Sequence, residues 1–400
     1  MHAPLKDKTI ALGVTGGIAA YKSVELLRLL TKAGARVRVI MTANAQWFVG
    51  PGTFQALSGL PVCTSVFEEG DASIRHIDWA GETELAVVAP ATANTIGKLA
   101  NGIADDALST FMLAVTAPVV ICPAMNTHMY EHPAVQRNLD ILQGFGHHIV
   151  EPDAGSLACG TVGPGRLAPP DTIVEEMAAV LTPKDLAGRT VLLTAGPTRE
   201  ALDPVRFVSN PSSGKMGFAL AKAAARRGAR VMLVAGPVSL SDPLHVEVHR
   251  VESAAEMADC VQALLPAADI VIKTAAVADY RPVHTAEHKI KKSEGRLSIA
   301  FERTTDILQS IGRQKAHRVL VGFAAETRQL RDNARQKLEA KNLDMIVANR
   351  IGEAGSGFEV DTNKAILIYR DGREETLPVM SKDALGHELF NRITALLPQD

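Results

Sequence analysis

Two stretches of the chain, one at the N-terminus and one in the middle, follow the same order of sequence features. Residues 8–14 form a short apolar run that ends in the glycine turn Thr15-Gly16-Gly17, and a helical pattern leads from there to a second apolar run, Arg36–Met41. Residues 190–194 start this order again and end in the turn 195–200. A strand, a glycine turn, a helix and a strand make a βαβ unit, which builds a parallel sheet with ligands beyond the carboxyl ends of its strands. The sequence therefore predicts an α/β fold of two tandem Rossmann-like domains with mainly parallel sheets.

The stretch between the two halves, residues 182–190, is polar and contains Pro183 and Gly188, as expected of a joint between domains. A chain of 400 residues is also longer than one hydrophobic core usually organises. We place the first domain at residues 1–185 and the second at residues 186–400. Nothing in the joint suggests a channel, so we expect it to act as a tether.

The composition limits the kinds of partner. A formal net charge of −2 gives no general attraction to nucleic acid or to anionic membranes, so an anionic ligand must be held by local clusters of Lys and Arg. Four cysteines (Cys63, Cys122, Cys159 and Cys260) form no C-x-x-C pair, which argues against a zinc knuckle or a disulfide scaffold. No secretory signal or membrane span is visible, and we expect a cytoplasmic protein.

The glycine turn of the first half is not a G-x-G-x-x-G motif. The second strand ends in Met41-Thr42, without the acidic residue that would bind a ribose, so a nicotinamide dinucleotide is disfavoured. Glycines and Thr15 before a helix can still bind one phosphate group. A purely structural turn explains the same residues equally well.

Four later features of the first half could carry chemistry. Residues 89–95 form a small-residue loop that a flat ring can approach closely, and Asn126 follows a strand that ends at Cys122. His76 precedes Trp79, which could shield an acid/base imidazole, and Cys159 lies in a glycine-rich flap. Each residue taken singly is more often structural than catalytic.

Together these residues resemble a known family. The segments Gly16-Gly17-Ile18-Ala19-Ala20-Tyr21-Lys22, Pro123-Ala124-Met125-Asn126 and Ala158-Cys159-Gly160, with His76, closely resemble the flavin-dependent cysteine decarboxylases, in particular phosphopantothenoylcysteine decarboxylase. The resemblance implies a flavodoxin-like flavoprotein domain. It implies that FMN is bound by Thr15, Gly16, Gly17, Ile18, Thr42, Ala91, Thr92, Ala93 and Asn94.

The same resemblance implies roles for three residues. A cysteine carboxylate loses carbon dioxide only once an electron sink exists, and in this family FMN oxidises the CH₂–SH carbon toward a thioaldehyde and later returns the electrons. His76 would be the acid/base group of the oxidation, Asn126 would bind the substrate carboxylate, and Cys159 would supply the final proton.

In the second half, Gly214-Lys215 is not a P-loop because Ser209 stands where the first glycine would be. We expect Ser212 and Ser213 to cap a helix over residues 215–227. A strand at 269–273 leads to Asp279 and then to a lysine run at 288–292, which suits a triphosphate with Mg²⁺, although such runs are often merely solvated. A helix predicted over 326–341 places Lys337 and Lys341 on one face.

Residues 275–282, the Lys289 cluster, Arg206 with Asn210, and residues 323–327 resemble phosphopantothenate–cysteine ligase of the bacterial, CTP-using type. The resemblance implies that Asn210 and Lys289 are catalytic, that Arg206, Asn210 and Ala276 contact the substrate, and that Asp279 binds Mg²⁺ or Mn²⁺. It implies a nucleotide site formed by Lys273, Thr274, Ala275, Asp279, Lys289, Thr305, Asp306, Ile307, Leu308, Phe323, Lys337 and Lys341.

Similarity over nearly the whole chain implies a bifunctional enzyme of coenzyme A biosynthesis. Its ligase would join cysteine to 4′-phosphopantothenate with CTP through an acyl-cytidylate, and its decarboxylase would convert the product to 4′-phosphopantetheine. By analogy it implies trimeric decarboxylase domains and dimeric ligase domains, and so a homo-oligomer such as a dodecamer. Two alternatives stay open: a peptidyl-cysteine decarboxylase fused to a non-catalytic domain, and a flavin-binding regulatory protein.

Overall fold

A computed structural model describes residues 3–66, 75–156, 160, 162–291, 297–326, 329–350 and 360–398. The chain divides into two compact units, Met1–Thr182 and Pro183–Asp400. The strands of the first unit are β1 (Thr9–Val14), β2 (Arg36–Met41), β3 (Val62–Cys63), β4 (Leu85–Ala91), β5 (Val119–Pro123), β6 (His148–Ile149), β7 (Asp153–Ser156) and β8 (Val162–Arg166). Its helices are α1 (Ala20–Lys32), α2 (Pro51–Ser58), α3 (Arg75–Glu82), α4 (Ala93–Ala100), α5 (Ala107–Ala114), α6 (Thr127–Tyr130), α7 (Pro133–Gly144) and α8 (Pro170–Leu181).

The central sheet of the first unit has the order β3-β2-β1-β4-β5-β6, and its registers are parallel throughout. Strands β1 to β3 therefore follow one another toward one edge of the sheet, and strands β4 to β6 follow one another toward the other edge. This is the order of a doubly wound nucleotide-binding sheet, whose ligand crevice lies where the order reverses. Here that point is between β1 and β4, as the predicted Rossmann-like fold requires.

Apolar side chains cover both faces of this sheet. Leu26, Leu27 and Leu30 of α1 belong to one fully buried cluster, and α8 contributes to it as well. Ile96 and Phe111, from α4 and α5, belong to the cluster on the other face. Strands buried on both faces read as continuous apolar runs, which is why the sequence reveals them so readily.

The helical pattern of residues 95–114 predicts one helix, and this prediction is wrong, because the structure has two helices, α4 and α5, there. Gly102 adopts a left-handed φ of 67° just after α4. Asp106 then caps α5, since its Oδ1 accepts from the backbone N of Ser109 at 2.8 Å and Ser109 Oγ accepts from the Asp106 backbone at 3.2 Å. The left-handed glycine ends α4, and the capping box starts α5.

The second unit repeats the alternation of strands and helices. Its strands are β9 (Thr190–Ala195), β10 (Arg199–Ala201), β11 (Phe207–Ser209), β12 (Arg230–Ala235), β13 (Val246–Arg250), β14 (Ile270–Lys273), β15 (Tyr280–Pro282), β16 (Phe301–Arg303), β17 (Val319–Glu326), β18 (Met345–Arg350), β19 (Thr362–Tyr369) and β20 (Glu374–Ser381). Its helices are α9 (Lys215–Arg226), α10 (Ala254–Leu264), α11 (Ile307–Arg313), α12 (Leu330–Ala340) and α13 (Lys382–Thr394).

The sheet of the second unit has the order β13-β12-β9-β14-β17-β18-β19-β20. Its first six strands are parallel and arranged as in the first unit, with β9 in the place of β1 and β14 in the place of β4. Strands β19 and β20 add an antiparallel edge. The restart seen in the sequence thus corresponds to a repeated topology.

Two expectations for this unit are wrong. The helix expected from residue 326 begins at Leu330, because β17 continues to Glu326 before the chain turns. The N-cap of α9 is Gly214, with a left-handed φ of 73° and no capping side chain, so the expected serine N-cap is wrong, and Ser212 Oγ instead accepts from the Gly214 backbone N at 3.4 Å. Serine caps need an extended residue at the N-cap, and the left-handed Gly214 takes that position.

The joint continues directly into the second unit. Lys184 Nζ donates to the Arg226 carbonyl at 2.7 Å, and Arg227 Nε donates to Asp185 Oδ1 at 2.8 Å. The Leu186 side chain is fully buried. Within the described part of the chain, no helix is both long enough and apolar enough to cross a bilayer.

Candidate active sites

A cavity of about 930 Å³ opens at the carboxyl ends of β1 and β4 in the first unit. A cavity of this size is at the upper end for small-molecule and cofactor sites. It is lined by Gly16, Gly17, Ile18, Ala19, Tyr21, Lys22, Thr42, Ala43, Asn44, Thr92, Ala93, Asn94, Thr95, Lys98, Asp106, Ala124, Met125, Asn126, Met129, Gly165, Arg166 and Leu167. All the predicted flavin residues except Thr15 and Ala91 therefore line one cavity.

Thr15 and Ala91 lie behind the cavity wall, where both are buried. Thr15 Oγ1 donates to the Pro90 carbonyl at 2.7 Å and accepts from the Thr92 backbone N at 3.1 Å. These bonds fasten the turn after β1 to the turn after β4. Thr15 thus shapes the cavity rather than lining it.

The glycine turn is close to the turn after β2. A Cβ atom at Gly16 would lie 2.3 Å from Asn44 Cβ and 2.8 Å from its carbonyl carbon, so only glycine fits there. At the same edge, Thr42 Oγ1 is buried and accepts or donates no hydrogen bond within the described part of the chain. A buried hydroxyl without a partner is unusual, and a ligand in the cavity would satisfy it. Size, close backbone approach and this unsatisfied hydroxyl all fit a flavin nucleotide.

Asn126 lines the cavity from the loop after β5 and also caps α6, since its Oδ1 accepts from the His128 backbone N at 2.9 Å. The amide oxygen is therefore an acceptor already, and the amide nitrogen is the atom suited to a substrate carboxylate. Strand β8 packs on this loop, because the Met125 backbone N donates to the Gly165 carbonyl at 2.9 Å. A Cβ at Gly165, where φ is 133°, would lie 2.3 Å from the Met125 carbonyl oxygen.

Two predicted catalytic residues fall outside what the structure describes. Cys159 lies outside the described residues, and of His76 only its place in helix α3 is described. On the same helix, Trp79 packs against the Arg38 guanidinium at 4.8 Å, and Arg38 pairs with Glu82. These contacts attach the helix that carries His76 to β2.

Several cavity residues escaped the sequence analysis, including Asn44, Lys98, Asp106 and Arg166. Lys98 Nζ pairs with Asp105 at 2.6 Å and Asp106 at 2.8 Å, and the hydrogen bonds that it donates to these two carboxylates raise its pKa. The capping pattern of Asp106 with Ser109 was the available signal. It was hidden because a single helix was expected to run through this stretch.

In the second unit, three lysines gather at the carboxyl end of the sheet. Lys273 Nζ donates to the Ala275 carbonyl at 3.3 Å, Lys337 Nζ donates to the Phe323 carbonyl at 2.9 Å, and Lys341 pairs with Asp306. Burial, and then the charges of Lys337 and Lys341, lower the pKa of Lys273 to about 8, against the opposing effect of Asp306 and Asp279. Neighbouring ammonium groups of this kind favour an anionic ligand.

Asp306 links this lysine cluster to α11. Its Oδ1 caps the helix by accepting from the Gln309 backbone N at 2.9 Å. Burial raises the pKa of Asp306, but the hydrogen bonds from Lys341 and from the Gln309 backbone N, together with the charges of Lys341 and Lys273, outweigh this effect and the pKa is lowered overall. Ile307 and Leu308 are only 2% exposed, whereas Thr305 is exposed.

The structure also brings Asn210, Ala276 and Asp279 to this edge. Asn210 Nδ2 donates to the Val277 carbonyl at 3.0 Å, and the Ala276 backbone N donates to the Gly196 carbonyl at 2.9 Å. The Asp279 carbonyl accepts from the Thr304 backbone N at 3.0 Å, and its side chain is exposed. Thr274 Oγ1 donates to the Thr194 carbonyl at 2.6 Å, which joins β14 to β9 at the point where the strand order reverses.

Arg206 and Lys289 are linked through the backbone. Arg206 Nη2 donates to Asp203 Oδ2 at 2.6 Å and to the Ile290 carbonyl at 2.8 Å. Lys289, the preceding residue, is exposed. The predicted substrate arginine is therefore already paired with a carboxylate.

The start of α9 is a part of this site that the sequence analysis missed. A Cβ at Gly217 would lie 2.5 Å from Ala195 Cβ and 2.6 Å from Thr274 Oγ1, so the first turn of α9 packs directly on the strand ends. The positive end of this helix dipole points to the same edge as the lysines. In the sequence, this part of the site is indicated by Gly214-Lys215, which was considered only as a P-loop motif and rejected as one.

Among the described residues, no three His, Cys, Asp or Glu side chains lie together in a way that could hold a metal ion. Mg²⁺ commonly uses one or two carboxylates together with substrate phosphates. The exposed Asp279 carboxylate beside the lysine cluster fits that mode of binding.

Two family models together match almost the whole chain. A flavoprotein model matches residues 2–182, and the model described as "DNA/pantothenate metabolism flavoprotein C-terminal domain" matches residues 186–397. Among curated relatives, coenzyme A biosynthesis bifunctional protein CoaBC of Bacillus subtilis is 52% identical, covering 99% of this chain and 98% of the relative. The protein of the same name from Escherichia coli K12 is 47% identical, covering 97% of each chain.

Two solved structures are similar to single halves of the chain. The C-terminal domain of a CoaBC protein is 44% identical with a TM-score of 0.47, covering 53% of this chain and 97% of that one. A PPC decarboxylase in complex with pantothenoylaminoethenethiol is 28% identical with a TM-score of 0.39, covering 43% and 96%.

The full-length identity to the curated relatives and the two adjoining family models lead to one assignment. The chain belongs to the CoaBC family of bifunctional coenzyme A biosynthesis enzymes, in which a flavoprotein decarboxylase domain precedes a ligase domain.

Proposed function

We propose that the second unit joins cysteine to 4′-phosphopantothenate at the expense of CTP, and that the first unit decarboxylates the product to 4′-phosphopantetheine with FMN. The observation that carries this proposal is the pair of sites at equivalent points of two like sheets. One is a flavin-sized cavity and the other a cluster of lysines beside a carboxylate. The two chemistries need these two environments.

The ligase reaction begins with an unreactive carboxylate. An oxygen of the phosphopantothenate carboxylate attacks the α-phosphorus of CTP, and the bond to pyrophosphate breaks, which gives an acyl-cytidylate. Lys273, Lys337 and Lys341 would neutralise the charge that moves to the leaving pyrophosphate, with Lys289 on the exposed side. Mg²⁺ or Mn²⁺ held by Asp279 and the phosphates would add to that effect.

The second ligase step forms the amide bond. The cysteine amine attacks the acyl carbon, CMP leaves, and the amine loses a proton. Asn210, fixed by its bond to the Val277 carbonyl, would hold the acyl-cytidylate next to Ala276. Ile307 and Leu308 would contact the nucleotide through backbone groups in the first turn of α11.

In the decarboxylase, FMN when bound supplies a two-electron acceptor that makes loss of carbon dioxide possible. Gly16, Gly17 and Thr92 would surround it, with Thr42 Oγ1 as a hydrogen-bonding partner. The amide nitrogen of Asn126 would donate to the substrate carboxylate and orient it. His76 would move the proton of the oxidation step, and Cys159 would deliver a proton to the product carbon.

We also propose the organisation of the whole protein. Residues 1–185 and 186–400 act as separate catalytic domains in the cytoplasm, and the subunits assemble through trimeric decarboxylase and dimeric ligase domains into a homo-oligomer such as a dodecamer. Mass photometry of the purified protein, which counts subunits directly, tests the assembly.

One set of assays tests the function. The purified protein should be yellow with a flavin spectrum and should release pyrophosphate and carbon dioxide when given CTP, cysteine and phosphopantothenate, with ATP as the comparison nucleotide. Lys289→Gln should lose pyrophosphate release while still decarboxylating added phosphopantothenoylcysteine, since the two sites are separate. A colourless protein that consumes no CTP would overturn the proposal.

A further inference from the structure

One carboxylate of the ligase unit has both of its oxygens fully engaged. The Asp203 side chain is 0% exposed. Its Oδ1 accepts from the backbone N of Val205 and of Arg206, both at 2.8 Å. Its Oδ2 accepts from Arg206 Nε at 3.0 Å, from Arg206 Nη2 at 2.6 Å and from the Ile290 backbone N at 3.1 Å. Oδ1 therefore shapes the local turn, whereas Oδ2 binds a distant segment.

The distant segment carries Lys289. Both backbone groups of the next residue, Ile290, are held: its N–H by Asp203 and its carbonyl by Arg206 Nη2 at 2.8 Å. Upstream, the Ala286 backbone N donates to the Leu202 carbonyl at 3.0 Å, and Thr285 Oγ1 donates to the Ala201 carbonyl at 3.1 Å. The stretch 285–290 is thus attached at both of its ends to the turn 201–206.

The charges favour an internal role for this pair. Burial raises the pKa of Asp203, but the hydrogen bonds from Arg206 and from three backbone N–H groups outweigh it and hold the pKa well below its usual range. The carboxylate is therefore ionised at every pH at which an enzyme would be assayed. It balances the guanidinium charge of Arg206, which is then less available to a substrate anion.

We propose that Asp203 is a positioning residue of the ligase, and that the Asp203–Arg206 pair is a clamp that holds the Lys289 segment at the nucleotide site. This inference rests on the proposed function, in which Lys289 meets the triphosphate of CTP. Lys289 is exposed and directly precedes the clamped residue Ile290, so its placement depends on the clamp. Arg206 is accordingly a structural partner of Asp203 rather than a substrate ligand.

The substitution Asp203→Asn separates the two functions of the carboxylate. The amide oxygen keeps both turn-forming bonds of Oδ1, whereas an NH₂ group replaces Oδ2 and faces the donors of Arg206 and Ile290. The turn should persist and the clamp should open. We expect kcat for pyrophosphate release to fall roughly 10- to 100-fold, as small misplacements of a catalytic group do. KM for CTP should rise, and KM for phosphopantothenate should stay within about twofold, because the clamp acts through Lys289.

Limited proteolysis gives a second readout that does not depend on activity. Trypsin cuts after lysine, and the Lys289–Ile290 bond includes the N–H that Asp203 holds. In the full-length protein, Asp203→Asn should raise the rate of cleavage at this bond about tenfold, as mass spectrometry of the fragments would show.

Asp344→Asn is the matched control. Asp344 also combines an ion pair, to Lys315, with a backbone bond from Leu320 N at 2.8 Å, but at the amino end of the strands. Its loss should lower the melting temperature without changing pyrophosphate release or cleavage at Lys289. Decarboxylation of added phosphopantothenoylcysteine by the same preparations reports on the intactness of the other unit.

The outcomes are distinct. If the wild-type protein releases no pyrophosphate from CTP, the proposed function fails, and the trypsin result still tests the clamp. If the wild type is active and Asp203→Asn matches it in kcat and in cleavage, the clamp is wrong. A rise in KM for phosphopantothenate alone would instead make Arg206 a substrate ligand and overturn the inference.

Discussion

Binding of CTP should draw a proton onto Lys273. In the free protein this partly buried ammonium has a pKa of about 8, lowered first by burial and then by Lys337, so near pH 8 about half of the molecules carry the charge. A triphosphate beside Lys273 favours the charged form and raises its pKa. At pH 8 we therefore expect an uptake of about half a proton per site on binding.

The sign of the pH dependence follows from the same values. Below about pH 7 Lys273 is already charged in the free protein, so its titration causes no proton uptake and no change of CTP affinity with pH. Above pH 8 the free protein must first gain a proton, and the Kd for CTP should rise by up to about tenfold per pH unit until the pKa of the complex is reached.

Titration calorimetry at pH 8 in two buffers of different ionisation enthalpy measures this uptake, with Lys273→Gln as the comparison. Lys315→Gln is a matched control, because Lys315 pairs with Asp344 at the other end of the strands. Equal proton uptake by the wild type and Lys273→Gln would refute the reasoning, as would a CTP affinity of the wild type that stays constant from pH 7 to pH 9.

Three further predictions concern the flavin cavity and the joint. Gly16→Ala should yield protein with little bound flavin by absorbance, because the new Cβ would lie 2.3 Å from Asn44 Cβ, whereas Gly52→Ala, with no atom within 4 Å of its Cβ, should stay yellow. Thr42→Val should weaken FMN binding roughly tenfold in a fluorescence titration, which corresponds to about 1.4 kcal/mol. The melting temperature of the flavin-free protein should stay the same or rise, because the Thr42 hydroxyl has no hydrogen-bond partner there. Equal FMN affinity of the variant and the wild type would exclude a hydrogen bond from Thr42 to flavin. A fragment of residues 183–400 should have a larger free energy of unfolding in urea than a fragment of residues 190–400. Burial of Leu186 alone should contribute about 1.5–3 kcal/mol to this difference. Equal urea midpoints of the two fragments would show that the joint is only a tether.

The strands and their grouping could be predicted because buried parallel strands are continuous apolar runs. β2 was expected with the residue bounds that the structure shows, and the apolar run after Gly228 likewise predicts β12 at residues 230–235, as observed. Breaks inside helices were harder to predict, since α4 and α5 are separated by Gly102 and by the cap at Asp106, both within a stretch of helical composition. The start of α12 depends on how far β17 extends, which is decided by pairing with β18 rather than by local sequence.

The site residues likewise divide into those that local sequence reveals and those that depend on contacts between distant residues. Small-residue loops and glycine turns at strand ends mark the flavin cavity in the sequence, because close backbone approach requires those residue types. Partners far apart in the chain cannot be seen in this way: the bond between Asp203 and Ile290 spans 87 residues, and Lys341 meets Asp306 across 35. The sequence also did not reveal Asp203 as the partner of Arg206, and the expected contact of Arg206 with substrate stays a prediction.

Two lysines of the proposed nucleotide site already bond to protein acceptors, Lys337 to the Phe323 carbonyl and Lys341 to Asp306. A triphosphate that binds there would compete with these internal acceptors, so the affinity of the site would be the difference between two sets of bonds. When pyrophosphate leaves, each ammonium would regain an acceptor that has remained in place, which would lower the barrier to product release. Internal competition of this kind favours rapid turnover over tight retention of product.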